Sequence, residues 1–434
     1  MPQRLNSAAA GFENAFQTLL NAKREISADV NHIVADILDD VAARGDAALL
    51  EYTVRLDRLT LTPSQLAFSA AEIAAAIAAC DRTALDALEL AASRIEAYHR
   101  RQLPHDDLYT DDLGVELGHR WTALGAVGMY VPGGTASYPS SVLMNAIPAR
   151  VAGVPRRVMV MPAPGGKFNP LTLAAARLAG VHEIYRVGGA QAVAALAYGT
   201  ATIAAVDKIT GPGNAFVAAA KRQIFGAVGI DMIAGPSEIL VVADATNDPA
   251  WIAADLLSQA EHDVSAQSVL LTDDAAFADA VLAAVAAQLT ILPRAAIAAE
   301  SWERFGAIIV VNSLDDAPAL IDRIAPEHLQ LAVDNPHALM ARVRNAGAIF
   351  MGRHTPEAIG DYIAGPNHVL PTARAARYAS GLSVLDFMKR TTIIGCTPDA
   401  LAALAPAAMT LAASEGLDAH GRSIAMRLNS RSVK

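Results

Sequence analysis

The sequence of 434 residues predicts an α/β protein built on parallel sheets, with helical segments at both ends. Three observations carry that expectation. From Trp121 onward, short β-branched runs alternate with Ala- and Leu-rich helical runs, the pattern of parallel strands covered by helices. Hydrophobic residues make up 53% of the chain and charged residues only 18%, which excludes a mainly disordered polymer. The strand–helix units are too numerous for one sheet, so two α/β domains are expected.

Taken in order, residues 1–25 read as a polar arm with one short helix. Asp29 to His99 is helical and Ala-rich, broken at Gly45 and Pro63. Asp106 to Leu117 is a charged connector suited to a hairpin. AVGMYVP then leads through a loop to a helix around Leu143 to Ala152, and RRVMVMPAP to a helix between Pro170 and Gly180. EIYRV precedes Gly188-Gly189 and another helix. VDKIT precedes Gly211-Pro212-Gly213-Asn214 and a helix from Ala215 to Phe225. EILVVAD with the helix after Pro249, QSVLLTDD with a long Ala helix, AIIVVN and LQLAV complete the alternation. From about Leu382 it fades into a separate helical tail. No internal repeat or low-complexity linker is present.

Composition removes several function classes. Lys plus Arg is 34 against 44 for Asp plus Glu, a net charge of −10 with no basic cluster, which argues against nucleic acid. Cys80 and Cys396 cannot build a disulfide framework, and no CxxC pair exists; a reducing cytoplasm fits. A mean hydropathy of +0.30 raises the question of a membrane. The uncharged stretches Ala123–Ala149 and Val187–Val206 are interrupted by Pro132, Gly133, Pro139, Pro148, Gly188, Gly189 and Gln191, so neither reads as a span. The N-terminus has no signal-type apolar core, since Asn6, Glu13 and Asn14 interrupt it.

Neither GxGxxG nor GxxxxGK[ST] occurs. Three other Gly-rich strand-to-helix joints do: Pro132-Gly133-Gly134, Gly188-Gly189-Ala190-Gln191 and Gly211-Pro212-Gly213-Asn214. Such turns need glycine for their own sake. Their clustering, with Gln191 and Asn214 at helix starts, points toward a dinucleotide whose pyrophosphate meets main-chain N–H groups. Gln259 and His262 are three residues apart near the end of the helix after Pro249, so they share a face that can offer an oxygen and an imidazole nitrogen to a metal. Alone, that pair reads as a solvated last turn, where His suits the helix dipole. Asp361 and His420, both in Gly-punctuated segments suited to loops, are the candidates to complete a zinc site. Glu327 and His328 follow Pro326, an ordinary helix-start pattern, or else an acid and an imidazole at a chain bend that divide two proton tasks. The cysteines read as inert thiols.

The strings VPGGTASYPSSVLMNAIPARVAGV, YRVGGAQAVAALAYGT, GPGN, DMIAGPSEIL, LLSQAEHD, APEHLQL, GDYIAGPNHVLPT and EGLDAH together closely resemble the histidinol dehydrogenase family over nearly the full length. The resemblance implies a four-electron oxidation of L-histidinol to L-histidine through an enzyme-held aldehyde, with one Zn2+ per subunit and two NAD in succession. It implies zinc ligands Gln259, His262, Asp361 and His420, and proton acceptors Glu327 and His328. Substrate contacts would be Ser237, Gln259, His262, His328, Asp361, Glu415 and His420, and NAD contacts Tyr130, Gln191 and Asn214. It further implies two incomplete Rossmann-like domains in an intertwined cytoplasmic homodimer with shared active sites. The expected divisions are an N-terminal helical arm at 1–25, a first domain from 26–129 with 237–381 carrying metal and catalytic residues, an NAD-binding domain at 130–236, and a tail at 382–434 that lends Glu415 and His420 to the partner. Phe216 departs from the family pattern, which has tyrosine after GPGN. Three competing readings are a related dehydrogenase of another primary alcohol, which should lose residues such as Glu357, Glu415 and His420, a zinc hydrolase with water activated by Glu327, and a non-catalytic nucleotide-binding module.

Overall fold

The structure, a computed structural model, describes residues 2–22, 28–133, 138–233 and 235–429. In chain order its strands are β1 (Gln3–Asn6), β2 (Asp107–Thr110), β3 (Val115–Ala123), β4 (Ala126–Tyr130), β5 (Arg156–Val160), β6 (Glu183–Tyr185), β7 (Lys208–Thr210), β8 (Gly229–Ile230), β9 (Glu238–Ala243), β10 (Gln267–Thr272), β11 (Ala307–Val310), β12 (His328–Ala332), β13 (Ala348–Met351) and β14 (Met388–Cys396). The chain divides into two compact units, Met1–Gln102 with Gly125–Phe387, and Leu103–Leu124 with Met388–Lys434.

The first unit holds two sheets, both wholly parallel as the β–α alternation predicts: a six-stranded one in the order β1-β11-β10-β9-β12-β13 and a five-stranded one in the order β6-β5-β4-β7-β8. Numbered from β9 and from β4, each core runs 3-2-1-4-5, with β1 added outside the third strand of the larger sheet. The strands are continuous apolar runs because both faces are covered. In the larger sheet Leu240, Val242, Ile309 and Leu331 face Phe16 and Ile321, while the alternate residues Ile239, Val241, Leu270 and Ile308 face Ile252, Leu256, Val281 and Trp302.

The structure departs from the expected divisions in three places. The arm contributes β1, paired with β11 from Gln3↔Ala307 to Asn6↔Val310, besides its expected helix Phe12–Leu20. Helices Ala28–Arg44 and Asp46–Asp57, expected with the metal-bearing domain, share a core with the five-stranded sheet: Val34, Leu38, Val41 and Leu49 pack with Val158, Val193, Leu196 and Ile209. An apolar helix face shows that a sheet receives it and not which one. Lastly, residues 382–387 belong to the first unit, with Leu382, Val384 and Phe387 buried, and the helical tail instead opens with a strand. That strand, β14, pairs antiparallel along β3 from Met388↔Ala123 to Cys396↔Val115. The expected hairpin is β2–β3, so the second unit is a three-stranded antiparallel sheet with helices Pro398–Ser414 and Asp418–Asn429. Among the described residues no helix is long and apolar enough to cross a membrane.

The joint after β7 shows how one Gly-rich turn is locked. Gly211 has φ +106°, and a Cβ there would stand 2.1 Å from the carbonyl oxygen of Tyr130, so glycine is required. Lys221, buried, donates from Nζ to the Gly211 carbonyl at 3.0 Å and pairs with Asp231, whose Oδ2 accepts from the Gly211 N–H at 2.8 Å. Removing one member of such a pair leaves a buried charge uncompensated. Lys221→Met should therefore lose about 3–5 kcal/mol of stability in denaturant unfolding; an unmoved midpoint would show that the pair does not lock the turn.

Candidate functional site

The site begins with the register of the larger sheet. β12 lies between β9 and β13, with His328 opposite Ile239 and Ala348. Glu327 and His328 therefore reach the amino end of β9, beside Glu238. The Glu238 N–H donates to Glu327 Oε2 at 2.8 Å, and the Glu238 carbonyl accepts from His328 Nδ1 at 3.0 Å. The pair opens a strand and not a helix: helix Ala317–Ile324 ends in left-handed Ala325 (φ 47°), and Pro326 leads out of it. The two side chains stay together, His328 Nδ1 lying 3.6 Å from Glu327 Oε2, and the Glu238 main chain holds both.

Since a carbonyl only accepts, His328 Nδ1 carries the proton. Burial pushes the imidazole down to about 4, so the ring is neutral at pH 7 and Nε2 keeps its lone pair. Nε2 is buried without a hydrogen-bond partner and lies 3.6 Å from Glu357 Oε1. Burial also raises Glu327 well above the ordinary carboxyl range. Glu357 is pushed up to about 9, first by burial and then by the charge of Asp361.

His328, Glu357 and Asp361 offer ligand atoms that all lie within 4.8 Å of one another. His262 Nε2 is 3.9 Å from Asp361 Oδ2. Helix Pro249–Ala260, capped by Asp248 through the Ala250 N–H, ends before His262, which sits in the turn beyond. Gln259 lies on the buried face of that helix with both amide atoms unpartnered, and Ser258 Oγ donates to Glu357 Oε2 at 3.3 Å. Asp361 is in the short helix Glu357–Tyr362 and not in a loop. Ser237 is half-buried just before β9. Glu415 and His420 belong to the second unit, both exposed, His420 on helix Asp418–Asn429 and also not in a loop.

The structure adds residues to the predicted site. Glu357 closes the acidic side. His368 donates from Nδ1 to the Asp361 carbonyl at 2.9 Å and sits with Nε2 3.3 Å from Ser141 Oγ. His368 stands in a string that carried the resemblance, and Glu357, just before that string, entered the sequence analysis only as a residue that a related dehydrogenase should lose. Ser141 is in the first turn of helix Pro139–Val151, which follows β4, so the carboxyl end of the smaller sheet meets the cluster.

At that carboxyl end stand the Gly-rich joints, those after β4 and β7 flanking the point where strand order reverses, the usual ligand crevice of such sheets. Gly134 of the first joint lies outside the described residues. Tyr130, the last residue of β4, is buried; burial pushes its phenol up to about 12, and its oxygen accepts from the Gly189 N–H at 3.0 Å. Gln191, buried in helix Gly189–Tyr198, leaves Oε1 unpartnered. Asn214 caps helix Ala215–Ile224, accepting from the N–H groups of Phe216 and Val217, and is exposed. Phe216 is on the surface. Cys80 is half-buried and donates to the Ala76 carbonyl, and Cys396 is exposed at the end of β14.

A metal ion fits this donor set. A buried amide with neither polar atom satisfied needs a partner, and crowded carboxyls of raised pKa are relieved by a nearby cation. Imidazole, carboxylate and amide oxygen suit zinc.

The histidinol dehydrogenase family model matches residues 20–428. A histidinol dehydrogenase of Bradyrhizobium diazoefficiens is 67% identical over 429 residues, covering 99% of this chain and 100% of that protein. One of Rhizobium meliloti is 65% identical, covering 99% of each. The crystal structure of histidinol dehydrogenase from Elizabethkingia anophelis superposes with a TM-score of 0.95 at 37% identity, covering 100% of this chain and 99% of that one.

Glu357 has a folded value of about 9 against an ordinary 4.5, so the stability it contributes is complete below pH 4.5 and is lost as pH rises through 9. The stability of the metal-free protein should therefore fall with rising pH between pH 7 and 9 through this group. Glu357→Gln should flatten that slope in chelator-treated thermal unfolding; identical slopes would show the carboxyl ionised throughout.

Proposed function

This chain belongs to the histidinol dehydrogenase family, and on that premise we propose that it oxidises L-histidinol to L-histidine by a zinc-dependent reaction with two NAD⁺ in succession. It is an oxidoreductase by that membership. The observation that carries the reading is the neutral His328 ring, held by Nδ1 to Glu238 so that its free Nε2 faces the acidic cluster.

Gln259, His262 and Asp361 would hold the zinc, with His420 from the second copy in an intertwined homodimer completing the set. Zinc, when bound, supplies a cation that fixes the imidazole and amine of the substrate. NAD⁺, when bound by Tyr130, Gln191 and Asn214, accepts hydride. The strand order 3-2-1-4-5 in both sheets supports reading each as an incomplete Rossmann-like domain.

The chain's own residues then move protons. His328 Nε2 takes the hydroxyl proton of histidinol as the carbinol C–H departs as hydride, leaving the aldehyde. Glu327, in its ionised form, takes a proton from water as its oxygen adds to the aldehyde carbon. His328, having returned its first proton to solvent, takes a hydroxyl proton of the hydrate as the second hydride leaves. Ser237, Glu357 and the partner's copy of Glu415 would hold the polar ends of the substrate. Two hydrides leave, one water enters, and the carboxylate results. With thiols that take no part in this scheme, the cytoplasm is the compartment we assign.

With histidinol and NAD⁺, about two NADH should form per histidine; absence of NADH would refute the assignment. His328→Asn should lower kcat by about 10²–10⁴-fold while zinc content, measured by elemental analysis, stays unchanged. Wild-type turnover in that variant would remove His328 from the reaction.

A further inference from the structure

One buried carboxylate near the Gly-rich joints has no part in the reaction above. Asp57 ends helix Asp46–Asp57, and Arg58 after it is left-handed at φ 53°. Asp57 is 8% exposed, and its Oδ2 has no hydrogen-bond partner. Burial raises its carboxyl above the ordinary range. A carboxylate so placed opposes folding, and a buried polar atom without a partner calls for one.

The surroundings say where that partner comes from. Tyr130, whose oxygen accepts from the Gly189 N–H, feels the charge of Asp57. Leu59, two residues after Asp57, lies in the loop beyond β5: its Cδ1 is 3.7 Å from where a Cβ on Gly166 would stand. Gln191, 1% exposed, leaves its Oε1 unpartnered as well. Two nine-tenths-buried acceptors thus accompany the same joints. In a sheet of order 3-2-1-4-5, the carboxylate that reads a ribose normally comes from the end of the second strand. Here that strand is β5, and Met161, Pro162, Ala163 and Pro164 follow it with no acid. Pro162 fills the place instead: a Cβ on Gly188 would stand 2.4 Å from the Pro162 Cβ.

We propose that Asp57 binds the ribose hydroxyls of a nicotinamide dinucleotide and thereby selects the unphosphorylated cofactor over its 2′-phosphate. The proposal rests on the cofactor reading above. Two hydroxyls donate to the carboxylate and satisfy it; a 2′-phosphate would bring like charge against a buried acid.

Asp57→Asn in the full-length, zinc-loaded protein tests this. The KM for NAD⁺ should rise about 10–100-fold, the worth of hydrogen bonds to a charged group, with the KM for histidinol and the zinc content unmoved. The preference for NAD⁺ over NADP⁺ in kcat/KM should fall at least about tenfold. Without cofactor the variant should melt at a higher temperature than wild type, because a buried charge is gone; a merely structural carboxylate would show the reverse. An unchanged KM for NAD⁺ with unchanged preference overturns the proposal, as does a lower melting temperature with the KM unmoved. Should the variant not fold, thermal shift of the wild type decides: stabilisation by NAD⁺ but not by NADP⁺ is expected, and equal stabilisation overturns it. A wild type that neither binds nor reduces NAD⁺ sinks the functional reading itself, whereas an active wild type with an indifferent variant sinks only the role of Asp57.

Discussion

The main chain of one residue, Glu238, sets the chemistry of the site. Its N–H holds Glu327 and its carbonyl holds His328, each at about hydrogen-bond length (2.8 and 3.0 Å). These bonds exist because parallel pairing puts the start of β9 beside the start of β12. The carbonyl then determines the tautomer, and the tautomer decides which imidazole nitrogen can accept a proton. A slip of one residue in the pairing would turn both side chains to the other face of the sheet.

The two parallel sheets share a strand order but not a working end. The smaller sheet presents its Gly-rich joints at the carboxyl ends of its strands, the ordinary place for a ligand. The larger sheet gathers Glu327, His328 and Glu357 at the amino end of β12, together with His262 and Asp361. At its carboxyl end Arg353 instead ties Asp244 (2.9 Å, β9 side) to Asp334 (2.6 Å, β12 side). Helix Pro139–Val151 leaves one sheet and touches the cluster of the other through Ser141 and His368. The proposed hydride transfer would need this adjacency, because donor carbon and acceptor ring have to meet. The acidic cluster opposes folding in the absence of a cation, a trade-off common where function needs buried charge.

Much of this was legible in the residues. The β–α alternation yields parallel sheets, since apolar runs of strand length flanked by helical periodicity bury on both faces. Most strands fall where the runs are: EILVVA, QSVLLT and AIIV are β9, β10 and β11. The two missed strands share one cause. β1 and β14 are mostly exposed segments whose partners, β11 and β3, lie about three hundred residues away in the chain, and long-range pairing leaves no local signature. Glu327-His328 resembled a helix start because Pro followed by Glu suits one; the sheet overrode that preference.

The sequence by itself determined residue chemistry: which side chains can ligate, accept protons or approach a phosphate, and, through the motif strings, which family they belong to. Only the tertiary structure decided which of them meet, which nitrogen of His328 is free, and that Glu357 and His368 flank Asp361. Those facts depend on burial and on register between distant segments. Burial changes the energy of a charge far more than any sequence neighbour does, and register is a property of two strands and never of one.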